Sequence, residues 1–402
     1  MERKSSVTLP QRFNIVEELL ERHVGATPKA IALHLISPES LKVASTVTYE
    51  QLGAITNRIG NGLLHAGVKR EQRIAIMLND GLEFAATFFG AMKIGVVPIL
   101  FSTYLSEEKL LFLLNDSRAK ALFLGDDLTT KISGIRDKLE FTKRIVSPKG
   151  SSGISYDEFT RNELEYLKVE PTSRDDVAFW FFTSGSTGMP KGVVHLHHDL
   201  YYAGLTYYDD VLHALPTDIF LSGAKLYFSA GLGFGLYGPL IMGASTVLYP
   251  ERPSASAMLE IIGHARPTAF LGVPTLYAQM LQIVSSGQND ISSVRIFAAG
   301  GEPLSPQTFA GWKQKTGVEI TEAIGSAEIG HHYISNVPGA GRPGTCGKLM
   351  VGYEARIVDD KFHEAGPEEM GTLLIKGEST FAYYWHMKEA TRRTILGEWI
   401  NT

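Results

Sequence analysis

Short apolar runs alternate with helix-period segments along most of the chain, and this alternation limits the fold more than any other feature of the sequence. Tyr49 to Leu64 and Leu82 to Lys93 carry apolar residues at helical spacing, whereas Arg73 to Leu78 and Ala121 to Leu124 are short continuous apolar runs, as buried strands are. Strands and helices that alternate in this way favour largely parallel sheets with helices on both faces. The sequence therefore predicts an α/β fold.

Composition along the chain predicts three subdomains. A polar stretch separates residues 1–170, an α/β subdomain, from residues 171–330, in which the same rhythm resumes in a second α/β subdomain. Glycine, proline and short β-prone pieces then predominate, which predicts a small distorted β-barrel over residues 331–402. The end of the chain, Trp399 to Thr402, shows no terminal element, and the sequence looks cut there.

The overall composition argues against several classes of protein. The 38 basic and 43 acidic residues give a formal charge of -5 without a long basic run, so no electrostatic footprint for nucleic acid or an anionic membrane is present. Cys346 is the only cysteine, which fits a reducing compartment. The stretch Met1 to Ser6 is polar, unlike a secretory signal, and Phe84 to Leu105 is too interrupted for a membrane span. We expect a soluble cytoplasmic protein with neither nucleic-acid nor membrane partners.

The segment Thr183 to Gly192, of sequence TSGSTGMPKG, is the strongest indication of chemistry. It follows an apolar strand, Val177 to Phe182, and precedes a helix predicted to start near His198. Its glycines allow a tight turn close to a ligand, its hydroxyls and amides can donate to phosphate oxygens, and Lys191 adds a mobile positive charge. The spacing differs from the GxxxxGK[ST] of ordinary P-loops. A Ser/Gly linker seldom joins a buried strand to Pro-Lys-Gly, so we interpret the segment as a phosphate loop.

This phosphate loop resembles that of the adenylate-forming superfamily, which comprises acyl-CoA synthetases, luciferases and the adenylation domains of peptide synthetases. Ala298 to Pro303 resembles the adenine-pocket segment of the family, and Ile324 to Glu328 resembles its GxTE segment. Asp176 to Trp180, Ala224 to Phe228 and Gly272 to Tyr277 are similar to benzoate-CoA ligases in particular. The resemblance covers essentially the whole chain. It implies that a carboxylate attacks the α-phosphorus of ATP, that pyrophosphate leaves, and that coenzyme A then displaces AMP.

The same resemblance implies ATP, Mg²⁺ and coenzyme A as ligands and assigns roles to individual residues. Lys191, Glu328 and Thr183 are the implied catalytic residues, and Glu328 is the implied ligand of Mg²⁺, a cation that prefers carboxylate and phosphate oxygens. The implied nucleotide-binding residues are Thr183, Ser184, Gly185, Ser186, Thr187, Gly188, Lys191, Gly300, Gly301, Glu302, Pro303, Ala323, Ile324, Gly325, Ser326 and Glu328. The implied acid-binding residues are Phe228, Ser229, Ala230, Gly231, Val273, Ala299 and His331.

The implied acid pocket favours a substituted aromatic acid. Ser229 stands where amino-acid-activating relatives usually have Asp, so an α-amino acid is not expected. Benzoate ligases carry Tyr at the position of Ala230, so the pocket is expected to be larger here, and His331 could donate to a phenolic oxygen. A hydroxybenzoate is therefore favoured over benzoate. Two alternatives stay open: a bulkier neighbour compensates for Ala230, or Ala230 and Gly231 lengthen the pocket for a fatty or alicyclic acid.

Two departures from the family pattern lower the expected activity. Ala327 stands where the family usually has a Thr that donates to the α-phosphate, and losing such a bond costs about 1.5–3 kcal/mol unless Ser326 replaces it. The ribose-binding Asp, the hinge and the C-terminal lid domain of the family would all lie beyond Thr402. A weakly active large domain is therefore expected, and a non-catalytic module that binds nucleotide or acyl-adenylate is the third alternative. The sequence allows a homodimer.

Two further features resemble functional sites less convincingly. His195, His197, His198 and Asp199 are spaced like a metal cluster, but their position directly after the phosphate loop favours the cap or start of a helix. Cys346 has no neighbouring base, so we do not expect it to act as a nucleophile.

Overall fold

The computed structural model describes residues 8–183, 189–284 and 290–402. The strands of this part of the chain are short and belong to three sheets. Their bounds are β1 (Ile31–Ile36), β2 (Val43–Thr48), β3 (Arg73–Met77), β4 (Val97–Leu100), β5 (Ala121–Leu124), β6 (Arg144–Ser147), β7 (Ile154–Ser155), β8 (Val177–Thr183), β9 (Lys191–Leu196), β10 (Ile219–Ser222), β11 (Ser245–Leu248), β12 (Ala269–Gly272), β13 (Ile296–Ala299), β14 (Ile320–Gly325), β15 (His332–Ser335), β16 (Lys348–Leu349), β17 (Tyr353–Val358), β18 (Thr372–Gly377), β19 (Tyr383–Tyr384), β20 (Ile395–Leu396) and β21 (Trp399–Asn401).

Most of the helices cross over between parallel strands. The α-helices are α1 (Arg22–Ala26), α2 (Tyr49–His65), α3 (Leu82–Lys93), α4 (Glu107–Ser117), α5 (Thr129–Ser133), α6 (Tyr156–Thr160), α7 (His197–Gly204), α8 (Ser229–Leu232), α9 (Gly238–Ile241), α10 (Ala255–Ala265), α11 (Pro274–Ile283), α12 (Pro306–Thr316) and α13 (Lys388–Thr394). Shorter 3₁₀ or π segments cover Glu17–Glu21, Asp126–Leu128, Arg136–Lys138, Leu205–Asp209, Gly233–Tyr237 and Ala327–Ile329.

Local chemistry explains the best-predicted helices. At the start of α2, Thr48 and Gln51 form a reciprocal capping box: the Gln51 N–H donates to the Thr48 hydroxyl (3.3 Å) and the Thr48 N–H donates to the Gln51 side chain (2.9 Å). The predicted helix from Leu82 to Lys93 is confirmed residue for residue as α3, which is buried over most of its length.

An eight-stranded sheet has the order β19-β9-β8-β4-β3-β5-β6-β7. The strands from β8 to β7 are parallel, and β9 and β19 add antiparallel pairs at one edge. β3, β4 and β5 are apolar and almost wholly buried because helices cover both faces of the sheet. The carboxyl end of β8, from which the phosphate loop departs, therefore lies at the same edge as those of β3 and β4.

A nine-stranded sheet has the order β16-β15-β14-β13-β12-β10-β11-β1-β2. Its strands from β14 to β1 are parallel, and β15, β16 and β2 pair antiparallel at its two ends. The two large sheets confirm the predicted α/β fold. No helix of the described residues is long and apolar enough to cross a membrane.

The prediction of a β-barrel over residues 331–402 is wrong for the described chain. β17, β18, β21 and β20 form an open, four-stranded antiparallel sheet in that order. The other strands of the segment pair elsewhere: β15 and β16 extend the nine-stranded sheet, and β19 pairs with β9. Four strands are too few to close a barrel.

The sheets also cross the predicted boundaries at residues 170 and 330. β1 and β2, from the first predicted segment, belong to the nine-stranded sheet. β8 and β9, which flank the phosphate loop in the second predicted segment, belong to the eight-stranded sheet. The polar stretch near residue 170 is thus a connection between two strands of one sheet, β7 and β8.

Candidate active site

The phosphate loop connects two antiparallel strands. β8 consists of Val, Ala, Thr and aromatic residues, and its last residue, Thr183, pairs with Lys191, the first residue of β9. The helix predicted near His198 is confirmed as α7, but β9 precedes it and was not predicted. The remaining predicted loop residues, Ser184, Gly185, Ser186, Thr187 and Gly188, lie outside the described residues.

A tyrosine connects the two charged residues of the predicted catalytic set. The Lys191 Nζ lies 5.0 Å from the centroid of the Tyr384 ring, which is within the range of a cation–π interaction. The Tyr384 hydroxyl donates to Glu328 Oε1 at 2.6 Å. Burial, and secondly the charge of Glu328, raise the pKa of Tyr384, so its phenol stays protonated and keeps donating. Lys191, over the ring, and Glu328, at the hydroxyl, therefore both contact Tyr384.

The surroundings of Glu328 fit a single Mg²⁺ that also binds phosphate. Its Oε1 accepts from Tyr384, and no other described residue hydrogen-bonds to its carboxylate. The described residues contain no group of three or more His, Cys, Asp or Glu side chains that could hold a metal ion by themselves. Because Mg²⁺ commonly uses one or two carboxylates together with substrate phosphates and water, one carboxylate beside a phosphate loop suffices.

The histidines after the phosphate loop are hydrogen-bonded side chains. Asp199 Oδ2 accepts from the Leu196 N–H at 3.0 Å, so Asp199 caps the start of α7, as the sequence predicted. The same oxygen lies 2.7 Å from Nδ1 of the buried His195. His197, which is also fully buried, accepts from the Ile15 N–H at 3.3 Å.

A cavity of about 430 Å³ lies between the ends of β13 and β14, where the adenine site was predicted. Predicted residues in its lining are Gly301, Glu302, Pro303, Ala323, Ile324 and Gly325; residues not predicted are Leu304, Glu322, Gly344, Thr345 and Cys346. Gly301 has a φ of +91°, which favours glycine, and a Cβ on Gly300 would lie only 2.6 Å from the His332 ring. The Leu304 N–H donates to Glu322 at 2.9 Å and ties the 300–304 turn to β14.

Ser326 and Ala327 join this cavity to the turn that carries Glu328. The Ser326 hydroxyl is buried and has no hydrogen-bond partner among the described residues. A buried hydroxyl without a partner is costly, and a ligand oxygen would remove the cost. The side chain of Ala327, in the 3₁₀ segment Ala327–Ile329, offers no donor.

A second cavity, of about 420 Å³, contains part of the predicted acid site. Phe228 and Val273 line it, together with Tyr104, Lys225 and Arg252. Phe228 is 50% exposed, so its ring is accessible from this cavity. The other predicted acid-site residues are not part of this lining: Ser229, Ala230, Gly231, Ala299 and His331.

His331 lies against the helix that begins with Ser229. A Cβ on Gly233 would lie 1.8 Å from the His331 ring, so only glycine lets the ring approach. The His331 Nε2 is 2.7 Å from the Tyr208 hydroxyl, and its Nδ1 is buried without a hydrogen-bond partner among the described residues. Burial, and secondly His332, lower the pKa of His331 well below its usual value, so the ring is neutral at pH 7. Ala230 precedes Gly233 by one helical turn and therefore shares its face.

A buried ion pair holds the segment before Phe228. Lys225 Nζ lies 3.1 Å from Asp80 Oδ2 and donates to three carbonyl oxygens, of Tyr249 (2.8 Å), Pro250 (3.0 Å) and Glu251 (3.2 Å). The Leu226 N–H donates to Asp80 Oδ1 at 3.2 Å. Asp80 follows β3 and Lys225 follows β10, so the pair connects the two large sheets.

Nothing in the sequence indicates Tyr384, Lys225 or Cys346 as site residues. Tyr384 follows another tyrosine in a segment without a motif, and its partner Glu328 is distant in sequence. Lys225 lies in the segment Ala224 to Phe228, which resembles benzoate-CoA ligases, but a lysine before an apolar run does not indicate a buried ion pair. Cys346 lines the first cavity although no base accompanies it.

Comparison with known proteins identifies similar sequences over nearly the full chain. The family model described as "AMP-binding enzyme" matches residues 20–385. The benzoate-CoA ligase of Thauera aromatica is 34% identical over 98% of this chain and 74% of its own length. The 4-hydroxybenzoate-CoA/benzoate-CoA ligase of Rhodopseudomonas palustris is 33% identical over 97% of this chain and 72% of its own length.

Two solved structures have similar folds and sequences. The anthranilate-CoA ligase AuaEII, in complex with anthranoyl-AMP, superposes with a TM-score of 0.93 at 32% identity, over 98% of this chain and 75% of its own. A benzoate-CoA ligase from Burkholderia xenovorans LB400 superposes with a TM-score of 0.89 at 32% identity, over 97% of this chain and 76% of its own.

Proposed function

Because this chain belongs to the AMP-binding enzyme family, we propose that it uses ATP to activate an aromatic carboxylic acid, first as the acyl-adenylate and then as the coenzyme A thioester. The observation that carries the proposal is that Lys191, at the end of the phosphate loop, and Glu328 both contact Tyr384, one over its ring and the other at its hydroxyl. This arrangement supplies a cation and a carboxylate at one phosphate site.

The chemical difficulty is to bring a carboxylate against a polyphosphate, since both are anions. Lys191 would offset the negative charge of the ATP phosphates. Glu328 would hold Mg²⁺, which when bound neutralises phosphate charge. The Ser326 hydroxyl, buried and without a described partner, would donate to the α-phosphate in place of the Thr missing at position 327. Adenine would occupy the cavity bordered by Gly301 and Ile324. Positioning and charge neutralisation are then the main contributions of this chain.

We assign the acid to the benzoate and hydroxybenzoate class, as for the relatives. The ring of the acid would lie near Ala230, on the face of α8 and the following π segment that packs against His331. When the Tyr208 hydroxyl donates to Nε2, the neutral His331 ring carries its proton on Nδ1, which has no described partner. That N–H can donate to a ring substituent such as a phenolic oxygen.

Thermal stabilisation by non-hydrolysable acyl-adenylate analogues tests this proposal. We expect benzoyl and hydroxybenzoyl analogues at a hundred times their Kd to stabilise the folded chain by about 2.7 kcal/mol, and cyclohexanecarbonyl and decanoyl analogues at the same concentration to stabilise it less. The Ala230→Tyr variant is the matched control: it should keep the response to the benzoyl analogue and lose about tenfold in affinity for the hydroxybenzoyl analogue, because its ring fills the added space.

Each other outcome contradicts a defined part of the proposal. A larger shift with the decanoyl analogue would overturn the aromatic acid but keep adenylate formation. Binding without pyrophosphate release, for a chain joined to a relative's C-terminal domain, would indicate a non-catalytic adenylate-binding module. The absence of a shift with any analogue or with ATP would overturn the nucleotide site itself.

A further inference from the structure

The turn that carries Glu328 is held by its carbonyl oxygens. The Phe381 N–H donates to Glu328 O at 2.7 Å, and the Ser379 hydroxyl donates to Ile329 O at 2.9 Å. Both donors belong to the segment that leads into β19. The third carbonyl oxygen of the turn, Ala327 O, lies 2.8 Å from Nε2 of His195, a fully buried side chain.

His195 is the contact between this turn and the strand of the phosphate loop. It is the fifth residue of β9, the strand that Lys191 begins, whereas Ala327 follows β14 of the other large sheet. The His195 ring stacks on Phe179 of β8 (5.3 Å between centroids, 15° between planes), so it cannot swing away from the turn. Gly330, with a φ of +80°, ends the turn against the same ring: a Cβ there would lie 3.5 Å from it.

The partners of His195 determine which of its nitrogens donate. Ala327 O can only accept a hydrogen bond, so Nε2 must carry a proton. Nδ1 faces Asp199 Oδ2 at 2.7 Å. Burial opposes the ionisation of Asp199, but hydrogen bonds from His195 and His198 outweigh burial and lower its pKa, so Asp199 is a carboxylate that accepts. Nε2 therefore donates to Ala327 O, and the contact between Nδ1 and Asp199 fixes the orientation of the ring.

We propose that His195, oriented by Asp199, is a positioning residue that sets the distance between the phosphate loop and Glu328. The proposal rests on the proposed function, since it takes Glu328 to hold the metal of the metal–nucleotide complex. His195 touches neither the nucleotide nor the metal. β9 positions Lys191, and the 327–330 turn positions Glu328. The hydrogen bond from His195 Nε2 to Ala327 O connects β9 to this turn, so it couples the position of Lys191 to that of Glu328.

The test measures how strongly Mn²⁺, in place of Mg²⁺, increases the affinity of the protein for α,β-methylene-ATP, a nucleotide that cannot transfer its adenylyl group because the methylene bridge is not cleaved. Calorimetric titrations with and without Mn²⁺ give this coupling as a ratio of two dissociation constants. His195→Met removes the donor at similar length, and we expect the coupling to fall about tenfold, the value of one lost hydrogen bond, with metal-free affinity unchanged. His195→Gln keeps an N–H near the position of Nε2 and should retain most of the coupling.

His197→Met is the matched control, because His197 is equally buried two residues further along the chain but bonds to Ile15 N. It should keep the full coupling. If His195→Met keeps the wild-type coupling, or lowers the affinity equally with and without Mn²⁺, the positioning role is refuted. If Mn²⁺ leaves the nucleotide affinity of the wild-type protein unchanged, the metal role of Glu328 fails instead, and the proposed function fails in that respect.

Discussion

The pair formed by Lys225 and Asp80 supports a quantitative prediction about stability. Both side chains are 8% exposed, so neither charge is solvated by bulk water. Lys225→Met keeps the unbranched apolar stem but removes the ammonium group from Asp80 and from three carbonyl oxygens. Breaking a buried pair on one side leaves an uncompensated charge and costs about 3–5 kcal/mol.

This free energy can be converted into a melting temperature. With an unfolding entropy of about 2.1 cal/mol/K per residue, the 402 residues give ~0.84 kcal/mol/K. A loss of 3–5 kcal/mol then corresponds to a decrease of about 4–6 °C. We expect the two large sheets to unfold as one cooperative unit, because the Lys225–Asp80 pair connects them. Scanning calorimetry of the wild type and of Lys225→Met measures the difference.

The pH dependence of the stability loss in Lys225→Met shows whether the buried charge of Asp80 causes it. Burial raises the pKa of Asp80 in the folded state, and Lys225 opposes this rise. A carboxyl group whose folded pKa lies above its unfolded value, about 3.9, contributes stability while protonated and loses it as pH rises through the folded pKa. Removing Lys225 raises that pKa further, so the deficit of Lys225→Met should be larger at pH 8 than at pH 5.5.

The double variant Asp80→Asn/Lys225→Met is the control for packing. It removes the buried charge, while the Asn side chain can still accept from the Leu226 N–H, so it should melt above Lys225→Met at pH 8. The reasoning is refuted if Lys225→Met melts within 1 °C of the wild type, or if the double variant is no more stable than the single one at pH 8.

Two further predictions concern the phosphate site. Tyr384→Phe keeps the ring beside Lys191 but removes the hydroxyl that holds Glu328, so we expect the Mg²⁺ concentration for half-maximal pyrophosphate release to rise about tenfold; an unchanged Mg²⁺ requirement would contradict the role of Tyr384. Ser326→Ala should slow single-turnover adenylation about tenfold with little change in ATP affinity, and Ala327→Thr added to it should recover the rate. No loss on removing the Ser326 hydroxyl would show that the α-phosphate donor lies elsewhere.

The parts of the fold that were predicted correctly depend on local sequence. The run of apolar residues in Leu82 to Lys93 and the aromatic strand Val177 to Thr183 define their own type and length, and both are confirmed. The β-barrel was a wrong prediction because short strands do not reveal their partners. β19 has only two residues, and nothing in them indicates that they pair with β9.

The candidate site divides in the same way. Lys191, Glu328 and the glycines of the adenine cavity stand in contiguous motifs, so the resemblance found them. Tyr384 and Lys225 act through partners far away in sequence, and their contacts arise only when the two sheets pack together. The sequence does not indicate the role of His195, because the acceptor on its Nε2 is a backbone carbonyl, a group that every residue has.

The pairing of β19 with β9 also has a consequence for synthesis of the chain. In the finished sheet, β9 is bordered by β8 and β19, and the Ala382 and Trp385 N–H groups donate to Val194 O and Gly192 O, both at 2.9 Å. The ribosome releases Val194 long before these partners, by roughly ten seconds or more at 5–20 residues per second. During that interval β9 is an exposed edge that another nascent chain can join. Once residues 382–385 are synthesised and pair with β9, they cover this edge, and the growing protein is less prone to aggregate.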